Sequence, residues 1–421
     1  MPDENCAARA EAIARRARAA SRRLPAASAE LKNAALRSMA DGLRAASAAV
    51  LKANALDVEA GKAARLGPAM IERLTLSPER IEKMARSIEE IALLSESVGE
   101  TIEGYVRPNG LRIERVRVPL GVVFAIYESR PNVTSDVAAL CLKSGNACIL
   151  RGGKEALRSN LAVHACLAKA LEARGLPADA VQMIDDPDRA LLAALLKQDR
   201  WIDLVVPRGG ESLIRAVAEQ SRIPVIKHYK GVCHVYVDDR ADLDMAEAIC
   251  FNAKVQRPGV CNAMETMLVH QGVAAAFLPR ICKHLAGAGV ELRGCERTRA
   301  IWPGAKPATE EDWYAEYLDL ILAVRVVDGI DQAIDHIATY GSNHTDAIVS
   351  EDVRRIRQFV RDVDSSSVMV NASTRFSDGG EYGLGAEVGI STDKLHARGP
   401  MGCRDLTTYK WVVTGCGHVR T

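Results

Sequence analysis

The sequence has almost no net charge and no long apolar run, and each absence narrows the classes of protein it can belong to. Its 421 residues contain 55 Lys and Arg against 54 Asp and Glu, which leaves a formal net charge of +1. No one-sided basic face is implied, so we expect no nucleic-acid partner. No apolar run approaches the roughly 18 residues of a membrane-spanning helix and no signal-peptide core is present, so we expect no membrane span.

Disulfide and metal-binding patterns are also missing. The eleven cysteines include no CxxC pair, and the nine histidines include no HExxH spacing. Cysteines without framework spacing are typical of reduced thiols, and zinc sites usually show their ligands at short, regular intervals. We therefore expect a cytoplasmic protein without a resident metal ion.

A helical region comes first and a hairpin follows it. Residues 4–98 are rich in Ala, Leu, Arg and Glu, and we expect glycines such as Gly61 to separate the helices. Residues 102–118 alternate around Asn109-Gly110, which predicts a tight β-hairpin. Because the hairpin carries charges on one face, it either pairs with another subunit or packs on its own domain.

Beyond residue 121, strands alternate with helices, which is typical of a doubly wound α/β sheet of the dinucleotide-binding type. The continuous apolar run at 121–126 predicts a buried parallel strand, and further strands are predicted at 147–150, 180–184, 202–206 and 225–226. A second α/β run begins near Gly231, with strands predicted at 233–237, 266–269, 320–324, 347–349 and 368–370. The β-branched and aromatic tail at 407–413 predicts a last strand beside the hairpin.

Cys261 is the first candidate for chemistry. Pro258 and Gly259 bend the chain before it, so we expect a loop that presents the thiol at the N-terminus of a helix. Arg257 adds positive charge nearby, and a thiolate in such a setting can attack a carbonyl carbon and carry an acyl group. The alternative for any single cysteine is a small buried hydrophobe, and most of the eleven fit that description.

Four segments, in order along the chain, carry a resemblance to a known family. They are YESRPNVT at 127–134, QRPGVCNAMET at 256–266, YGSNHTDAI at 340–348, and STRFSDGGEYGLGAE at 373–387 continuing to HARGP at 396–400. With these segments the chain resembles the γ-glutamyl phosphate reductases, also called glutamate-5-semialdehyde dehydrogenases, within the aldehyde dehydrogenase superfamily. The resemblance covers essentially the whole chain.

The resemblance implies an aldehyde dehydrogenase-like α/β fold in three parts. An NADP-binding domain with a doubly wound parallel sheet would comprise residues 1–103 and 122–230, and an α/β catalytic domain residues 231–400. A β-hairpin oligomerisation unit would combine 104–121 with the tail at 401–421. The implied assembly is a homo-oligomer, dimer or tetramer, and glutamate 5-kinase is a further candidate partner because glutamyl phosphate is labile.

The implied reaction is the NADPH-dependent reduction of L-glutamyl 5-phosphate to L-glutamate 5-semialdehyde and phosphate, the second step of proline biosynthesis from glutamate. Cys261 would be the nucleophile and form a thioester, which a hydride from NADPH reduces. His228 stands where oxidising members of the superfamily carry a Glu that activates water, so the thioester should hydrolyse slowly. His228 would be an acid or base, or a histidine that only packs at a domain junction.

Cofactor residues follow from the resemblance by position. The charges of Arg151 and Lys154 favour the 2′-phosphate of NADP(H), and the helix start at Gly209 and Gly210 would bind the pyrophosphate. Glu316 would hold the nicotinamide ribose. The plainer alternatives are solvated loop charges, an ordinary turn and a surface carboxylate.

Substrate residues are implied in the same way. Asn132 or Ser129 would help to form the oxyanion hole, and Asn132 is counted in the catalytic set. Because the substrate carries a carboxylate and a phosphate, cations and hydroxyls are needed. The residues that would supply them are Arg130, Arg257, Ser373 and Arg375. An equally weighted alternative is that each of these residues only braces a loop. We interpret His344 as a hydrogen-bonded core residue.

Other functions are weighed against this one. A phosphate-independent aldehyde dehydrogenase acting on a small acidic semialdehyde would share the fold and the thiol. A thiol hydrolase would use Cys261 without a cofactor, which leaves Arg151 and Lys154 unexplained. A non-catalytic scaffold would not need the thiol at all.

Overall fold

A computed structural model describes residues 2–420, which divide into two compact units. Unit A comprises the chain up to residue 227, residues 383–389 and the segment from residue 401 onward. Unit B comprises residues 228–382 and 390–400. Among the described residues, no helix combines the length and the apolar character that crossing a bilayer requires.

Unit A begins with the predicted string of helices. They are α1 (Pro2–Ser21), α2 (Ala29–Ala45), α3 (Ser47–Ala63), α4 (Pro68–Leu74) and α5 (Pro78–Leu93). The prediction that Gly61 separates two helices is wrong, because it lies inside α3. A Cβ at Gly61 would lie 3.1 Å from methyl carbons of Leu66 and Ile71, so the glycine is explained by close packing rather than by a break.

The α/β part of unit A follows the predicted alternation of strands and helices. Its elements are β1 (Thr101–Val106), β2 (Arg112–Pro119), β3 (Val122–Tyr127), α6 (Pro131–Lys143), β4 (Ala147–Arg151), α7 (Leu157–Ala173), β5 (Val181–Met183), α8 (Arg189–Leu195), β6 (Leu204–Arg208) and α9 (Glu211–Gln220). Four strands form a parallel sheet in the order β5-β4-β3-β6. Every residue of β3 is buried, as its continuous apolar run predicts.

Unit B is built on a larger parallel sheet. Its elements are β7 (Cys233–Val237), α10 (Leu243–Val255), β8 (Met264–His270), α11 (Gln271–Gly287), β9 (Glu291–Gly294), α12 (Glu296–Ile301), β10 (Lys306–Pro307), α13 (Glu310–Trp313), β11 (Ile321–Val327), α14 (Ile330–Tyr340), β12 (Thr345–Val349), α15 (Val353–Asp362) and β13 (Ser367–Val370). The strand order is β10-β9-β11-β8-β7-β12-β13. The five predicted strands are confirmed, whereas β9 and β10 were not predicted because they are short, polar and at one edge.

The remaining strands are short β14 (Gly389–Ser391) and β15 (Gly399–Met401), which pair with each other, and β16 (Thr407–Thr414). The predicted hairpin is confirmed, since β1 and β2 pair antiparallel around the Asn109-Gly110 turn. The predicted tail strand is confirmed too, because β16 pairs antiparallel with β2 along its whole length. These three strands form their own antiparallel sheet, in the order β1-β2-β16.

Gly121 joins this antiparallel sheet to the parallel sheet of unit A. Its φ is +129°, a backbone conformation that residues with a side chain rarely adopt. Its amide donates to Asn146 Oδ1 at 2.7 Å. A Cβ here would lie 2.2 Å from Asp203 Oδ2 and 2.7 Å from Arg18 Nη1, two groups that form an ion pair. Position 121 therefore excludes side chains by conformation and by space together.

We predict that Gly121→Ala destabilises the protein by roughly 3 kcal/mol, because backbone strain and a clash with the ion pair add together. The matched control is Gly99→Ala, where φ is +87° but nothing lies within 4 Å of an added Cβ. That control should cost about 1–2 kcal/mol, from strain alone. Urea unfolding followed by circular dichroism measures both, and equal losses would contradict the clash.

Candidate active site

Cys261 lies in a tight turn between α10 and β8 and is half-buried. Helix α10 ends at Val255, Pro258 and Gly259 turn the chain, and strand β8 begins at Met264. The prediction that Cys261 starts a helix is therefore wrong. The residues after it lead into β8, a buried central strand of a parallel sheet, so no helix begins at the sulfur and other segments form the surroundings of the thiol.

The backbone of Cys261 packs directly against Gly231. A Cβ at Gly231 would lie 1.9 Å from the carbonyl oxygen of Cys261, so no side chain fits there. The Gly231 amide donates to Glu316 Oε1 at 2.8 Å, and the Cys233 thiol donates to the Cys261 carbonyl oxygen at 3.2 Å. Burial raises the pKa of the Cys233 thiol well above its usual value, which keeps that thiol protonated as a donor.

The turn is also tied to the loop that follows β13. Asn262 Nδ2 donates to the carbonyl oxygen of Ser377 at 2.9 Å, and Arg375 Nε donates to Gln256 Oε1 at 2.8 Å. Arg375 also donates to Asn262 Oδ1. Burial lowers the pKa of the Arg375 guanidinium, and the charge of Arg257 acts in the same direction. Arg375 thus braces the turn that carries the nucleophile, which is the alternative role considered for it.

Two histidines face the sulfur of Cys261. A ring nitrogen of His228, a ring nitrogen of His344 and Cys261 Sγ all lie within 4.8 Å of one another. The rings of His228 and His344 stand edge to face, with centroids 5.5 Å apart. His344 is buried and hydrogen-bonded, as expected of a core residue, but sequence reasoning missed its position beside the thiol. No short-range spacing signals this cluster, because the three residues come from distant segments.

An ion pair joins the two ends of the Cys261 turn. Lys254 Nζ, near the end of α10, lies 2.6 Å from Glu265 Oε2 in β8, and both side chains are inaccessible to solvent. Glu265 Oε1 also accepts from the Leu318 amide at 3.1 Å. Burial raises the pKa of Glu265 to about 7 and lowers the pKa of Lys254. Neither residue was a predicted site residue, although Glu265 lies within the QRPGVCNAMET segment and Lys254 precedes it by two residues.

The predicted cofactor cations follow β4 in unit A. Arg151 ends the strand, and its Nη2 donates to the carbonyl oxygen of Pro187 at 2.9 Å. Burial lowers the pKa of Arg151. Lys154 is exposed, at the start of a short 3-10 turn. Glu316, which was predicted to hold the nicotinamide ribose, belongs to unit B.

The predicted pyrophosphate site at the start of α9 binds a carboxylate of the chain itself. The Gly210 amide donates to Glu128 Oε1 at 3.3 Å. A Cβ at Gly209 would lie 2.7 Å from the Glu128 carboxyl carbon, so that glycine makes room for the carboxylate. Glu128 was not predicted, although it directly follows β3 in the YESRPNVT segment. Its contact shows that the helix start attracts an anion.

The predicted oxyanion-hole residue, Asn132, lies in the first turn of α6 in unit A. Its Nδ2 donates to Asp136 Oδ2 at 3.0 Å. Burial raises the pKa of Asp136 to about 6, and hydrogen bonds from Asn132 and Ser87 act against that rise. Arg130 immediately precedes the same helix. Asn132 and Arg130 therefore belong to unit A, whereas the other predicted substrate residues, Arg257, Ser373 and Arg375, share unit B with Cys261.

Comparisons with known proteins agree on one family. Residues 3–293 match the aldehyde dehydrogenase family. A γ-glutamyl phosphate reductase of Geobacter metallireducens is 56% identical over 385 residues, which are 91% of this chain and 92% of that protein. The crystal structure of γ-glutamyl phosphate reductase from Thermotoga maritima has a TM-score of 0.95 at 46% identity, covering 97% of this chain and 99% of that one. The enzyme of that name from Saccharomyces cerevisiae has a TM-score of 0.55 at 31% identity, covering 98% of each chain.

We predict that Lys254→Gln destabilises unit B by about 3 kcal/mol, because it leaves the Glu265 carboxylate buried without a cation. The matched control is Lys306→Gln, since Lys306 lies at the same 2.6 Å from Glu291 but on the surface. The control should cost less than about 1 kcal/mol. Urea unfolding at pH 8 measures both losses.

The cost of Lys254→Gln should shrink at lower pH. Removing the cation raises the pKa of Glu265 above about 7, so the variant's folded state holds an extra proton and loses stability, relative to the parent, as pH rises through that value. At pH 5.5 the carboxyl is neutral in both proteins and the difference is smaller. A loss that is equal at pH 5.5 and pH 8 would contradict this account.

Proposed function

This chain belongs to the aldehyde dehydrogenase family and, within it, to the γ-glutamyl phosphate reductases, and we propose its function from that membership. It reduces L-glutamyl 5-phosphate to L-glutamate 5-semialdehyde and phosphate, the second step of proline biosynthesis from glutamate. The observation that carries the proposal is a half-buried thiol in a braced turn, with two imidazole nitrogens within 4.8 Å of its sulfur. A nucleophile that must form and release an acyl group needs this combination of access and proton acceptors.

The proposed first step is acyl transfer to Cys261. The sulfur attacks the acyl carbon, the bond from that carbon to the phosphate oxygen breaks, and phosphate leaves with the electron pair. His228 is proposed to take the thiol proton. Its Nδ1 lies 3.0 Å from the carbonyl oxygen of Ile390, which can only accept, so Nδ1 carries the hydrogen and Nε2 carries the lone pair. A neutral imidazole in this tautomer is a competent base.

In the second step the thioester becomes an aldehyde. A nicotinamide cofactor, which this family uses, supplies the hydride. His228 is proposed to return its proton as the carbon–sulfur bond breaks, which restores the thiol. The segment 228–234 contains no Glu that could activate water on the thioester, so hydrolysis should not compete with reduction.

Replacing Cys261 tests the nucleophile. Cys261→Ser and Cys261→Ala should each lower NADPH-dependent reduction of glutamyl phosphate by at least roughly a thousandfold, because the covalent route is lost. The control is Cys295→Ser, which alters another half-buried thiol of unit B and should leave the rate unchanged. Turnover that survives in Cys261→Ala would contradict the proposal.

The reverse reaction separates this function from the alternative. Oxidation of the semialdehyde should require phosphate or arsenate, because the thioester needs an oxyanion acceptor. Rapid NADP reduction by the aldehyde without either anion would identify a phosphate-independent aldehyde dehydrogenase acting on a small acidic semialdehyde.

NADP(H) is the proposed form of the cofactor, and unit A supplies groups that suit it. The Gly210 amide already binds a carboxylate at the start of α9, so an anion such as the pyrophosphate suits that position. Gly209 leaves the space that close approach requires. Arg151 and Lys154 would face the 2′-phosphate, and Lys154 is the exposed one of the two. Glu316 is proposed for the nicotinamide ribose, although in this structure one of its oxygens accepts from the Gly231 amide.

We predict that Lys154→Ala raises the KM for NADPH roughly tenfold, because a charge-assisted contact to the 2′-phosphate is lost. The KM for NADH, which lacks that phosphate, should not change. Lys169→Ala is the control, since Lys169 is an exposed lysine of α7 in the same unit. Equal effects on NADPH and NADH would contradict the role of Lys154. Initial rates at varied cofactor concentration measure all of these constants.

The proposed division of labour assigns cofactor binding to residues 1–103 and 122–230 and catalysis to residues 231–400. Within the catalytic set, Asn132 is proposed to polarise the acyl oxygen, and the substrate's anionic groups would be held by a set of cations and a hydroxyl. These are Arg130, Arg257, Ser373 and Arg375. The exposed side chain of Arg257, four residues before Cys261, is the one best suited to a departing phosphate.

Association with further copies is proposed for the antiparallel sheet formed by residues 104–121 and 401–421. Strand β16 exposes Tyr409, Trp411 and Val413, and the guanidinium of Arg115 lies 4.4 Å from the Tyr409 ring. Exposed aromatic and apolar side chains on one strand are typical of an interface, so we propose a dimer or a tetramer. Light scattering that finds only a monomer would contradict it.

The proposal extends to the protein's location in the cell and to a partner enzyme. All eleven cysteines are free thiols, which supports a reducing compartment, the cytoplasm. The labile acyl phosphate would benefit from direct transfer, so glutamate 5-kinase is the proposed partner, and co-sedimentation of the two purified proteins tests that association.

A further inference from the structure

We infer that His228, Cys261 and His344 form a binding site for a thiophilic divalent cation of the zinc type, and that such an ion inhibits the enzyme by capturing its nucleophile. Two imidazoles and a thiolate are a donor set that Zn²⁺ prefers. Among the side chains that the structure describes, this is the one group of three or more His, Cys, Asp or Glu residues whose donor atoms converge closely enough to hold an ion. The inhibitory part rests on the function proposed above, whereas the binding part does not.

The distances suit a site that closes around an ion. In a tetrahedral zinc site the donor atoms are roughly 3.5 Å apart, given bonds of about 2.0 Å to nitrogen and 2.3 Å to sulfur. The three donors here lie within 4.8 Å of one another, so small side-chain rotations bring them to bonding distance. Cys261 and His228 are half-buried, which lets an ion enter from solvent, and His344 forms the buried wall.

The groups behind the histidines orient their rings as metal ligands. His228 Nδ1 lies against the carbonyl oxygen of Ile390 at 3.0 Å, which directs the lone pair of Nε2 away from that carbonyl. His344 Nδ1 lies 2.8 Å from Thr345 Oγ1. Metal-binding histidines usually make such a hydrogen bond through the nitrogen that does not bind the ion, because it fixes the ring and the tautomer.

Binding replaces a proton by a metal ion. The Cys261 thiol loses its proton to solvent, and the sulfur lone pair forms the bond to the cation, while both imidazoles bind as neutral ligands. No oxidant or reductant is needed. The fourth position stays open for water or for a substrate carboxylate. Since the bound sulfur cannot attack an acyl carbon, turnover stops while the ion is present.

The charge near the site makes the binding reversible rather than structural. Arg375 is hydrogen-bonded to the same turn and brings positive charge to it, which opposes the entry of a cation. Three protein ligands and an adjacent cation suit an ion that a chelator can remove. The missing short-range spacing agrees with this, because resident structural zinc sites draw ligands from compact motifs.

Cobalt(II) provides a readout that does not depend on turnover. Titrating the full-length wild-type protein with CoCl₂ should produce one equivalent of a sulfur-to-cobalt charge-transfer band in the near ultraviolet. The band should be absent in Cys261→Ser, and the apparent Kd should rise at least roughly tenfold in His228→Gln and in His344→Gln. Because His344 is buried, circular dichroism checks that variant's fold, and His228→Gln carries the test if His344→Gln does not fold.

The matched control is the double variant Cys416→Ser/His418→Gln, which removes an exposed thiol and a half-buried ring whose atoms lie 3.9 Å apart near the carboxyl end. It should keep the band at full strength. A band that persists in Cys261→Ser, or that disappears in the control, would overturn the inference. No binding of Co²⁺ or Zn²⁺ to the wild type would overturn it as well.

The inhibitory arm uses ZnCl₂ on the NADPH-dependent reaction. Zn²⁺ should abolish turnover and EDTA should restore it. His344→Gln, which keeps the proposed base His228, should shift the inhibiting concentration upward by the same factor as its cobalt Kd. Inhibition that is unchanged in a folded His344→Gln would overturn the inference. Failure of the function itself is seen separately, because metal-free wild-type enzyme would then lack reductase activity while the cobalt band still formed.

Discussion

The ion pair between Lys254 and Glu265 is the constraint on which the site depends. It is buried, and it fastens the end of α10 to the start of β8, the two elements between which Cys261 is suspended. A turn of this kind would otherwise sample many conformations, and each would carry the sulfur elsewhere. The contacts from Asn262 and Arg375 act on a segment whose two ends are already fixed. Burying this ion pair costs solvation free energy, but it holds the Cys261 turn in one conformation.

Local sequence patterns predict much of the architecture, and where a pattern was strong it predicted the element correctly. The Asn109-Gly110 turn, the uninterrupted apolar run of β3 and the tail strand each depend on neighbouring residues alone, and all three are confirmed. The failures have the same origin. Gly61 resembles a helix break in sequence, but its role is decided by its packing against Leu66 and against residues of the next helix, which a local pattern does not reveal.

The site was harder to predict than the fold, because its parts meet through tertiary structure. The motif around Cys261 identified the sulfur, yet the helix expected after it is a strand whose place in the sheet is set by distant pairing. His344 and Glu128 were within quoted motifs, but nothing local distinguishes a core histidine from one beside a thiol, or a surface carboxylate from one that caps a helix. The sequence therefore identified the types of residue in the site, but not which of them lie next to each other in the folded protein.

Gly231 carries a consequence for anyone who redesigns this protein. A single methyl group at that position would occupy the space of the Cys261 carbonyl oxygen, 1.9 Å away. Any larger residue at position 231 would therefore also displace the sulfur of Cys261, whatever the purpose of the substitution. A library of variants that alters the surroundings of the thiol but keeps its reactivity should therefore retain glycine at position 231.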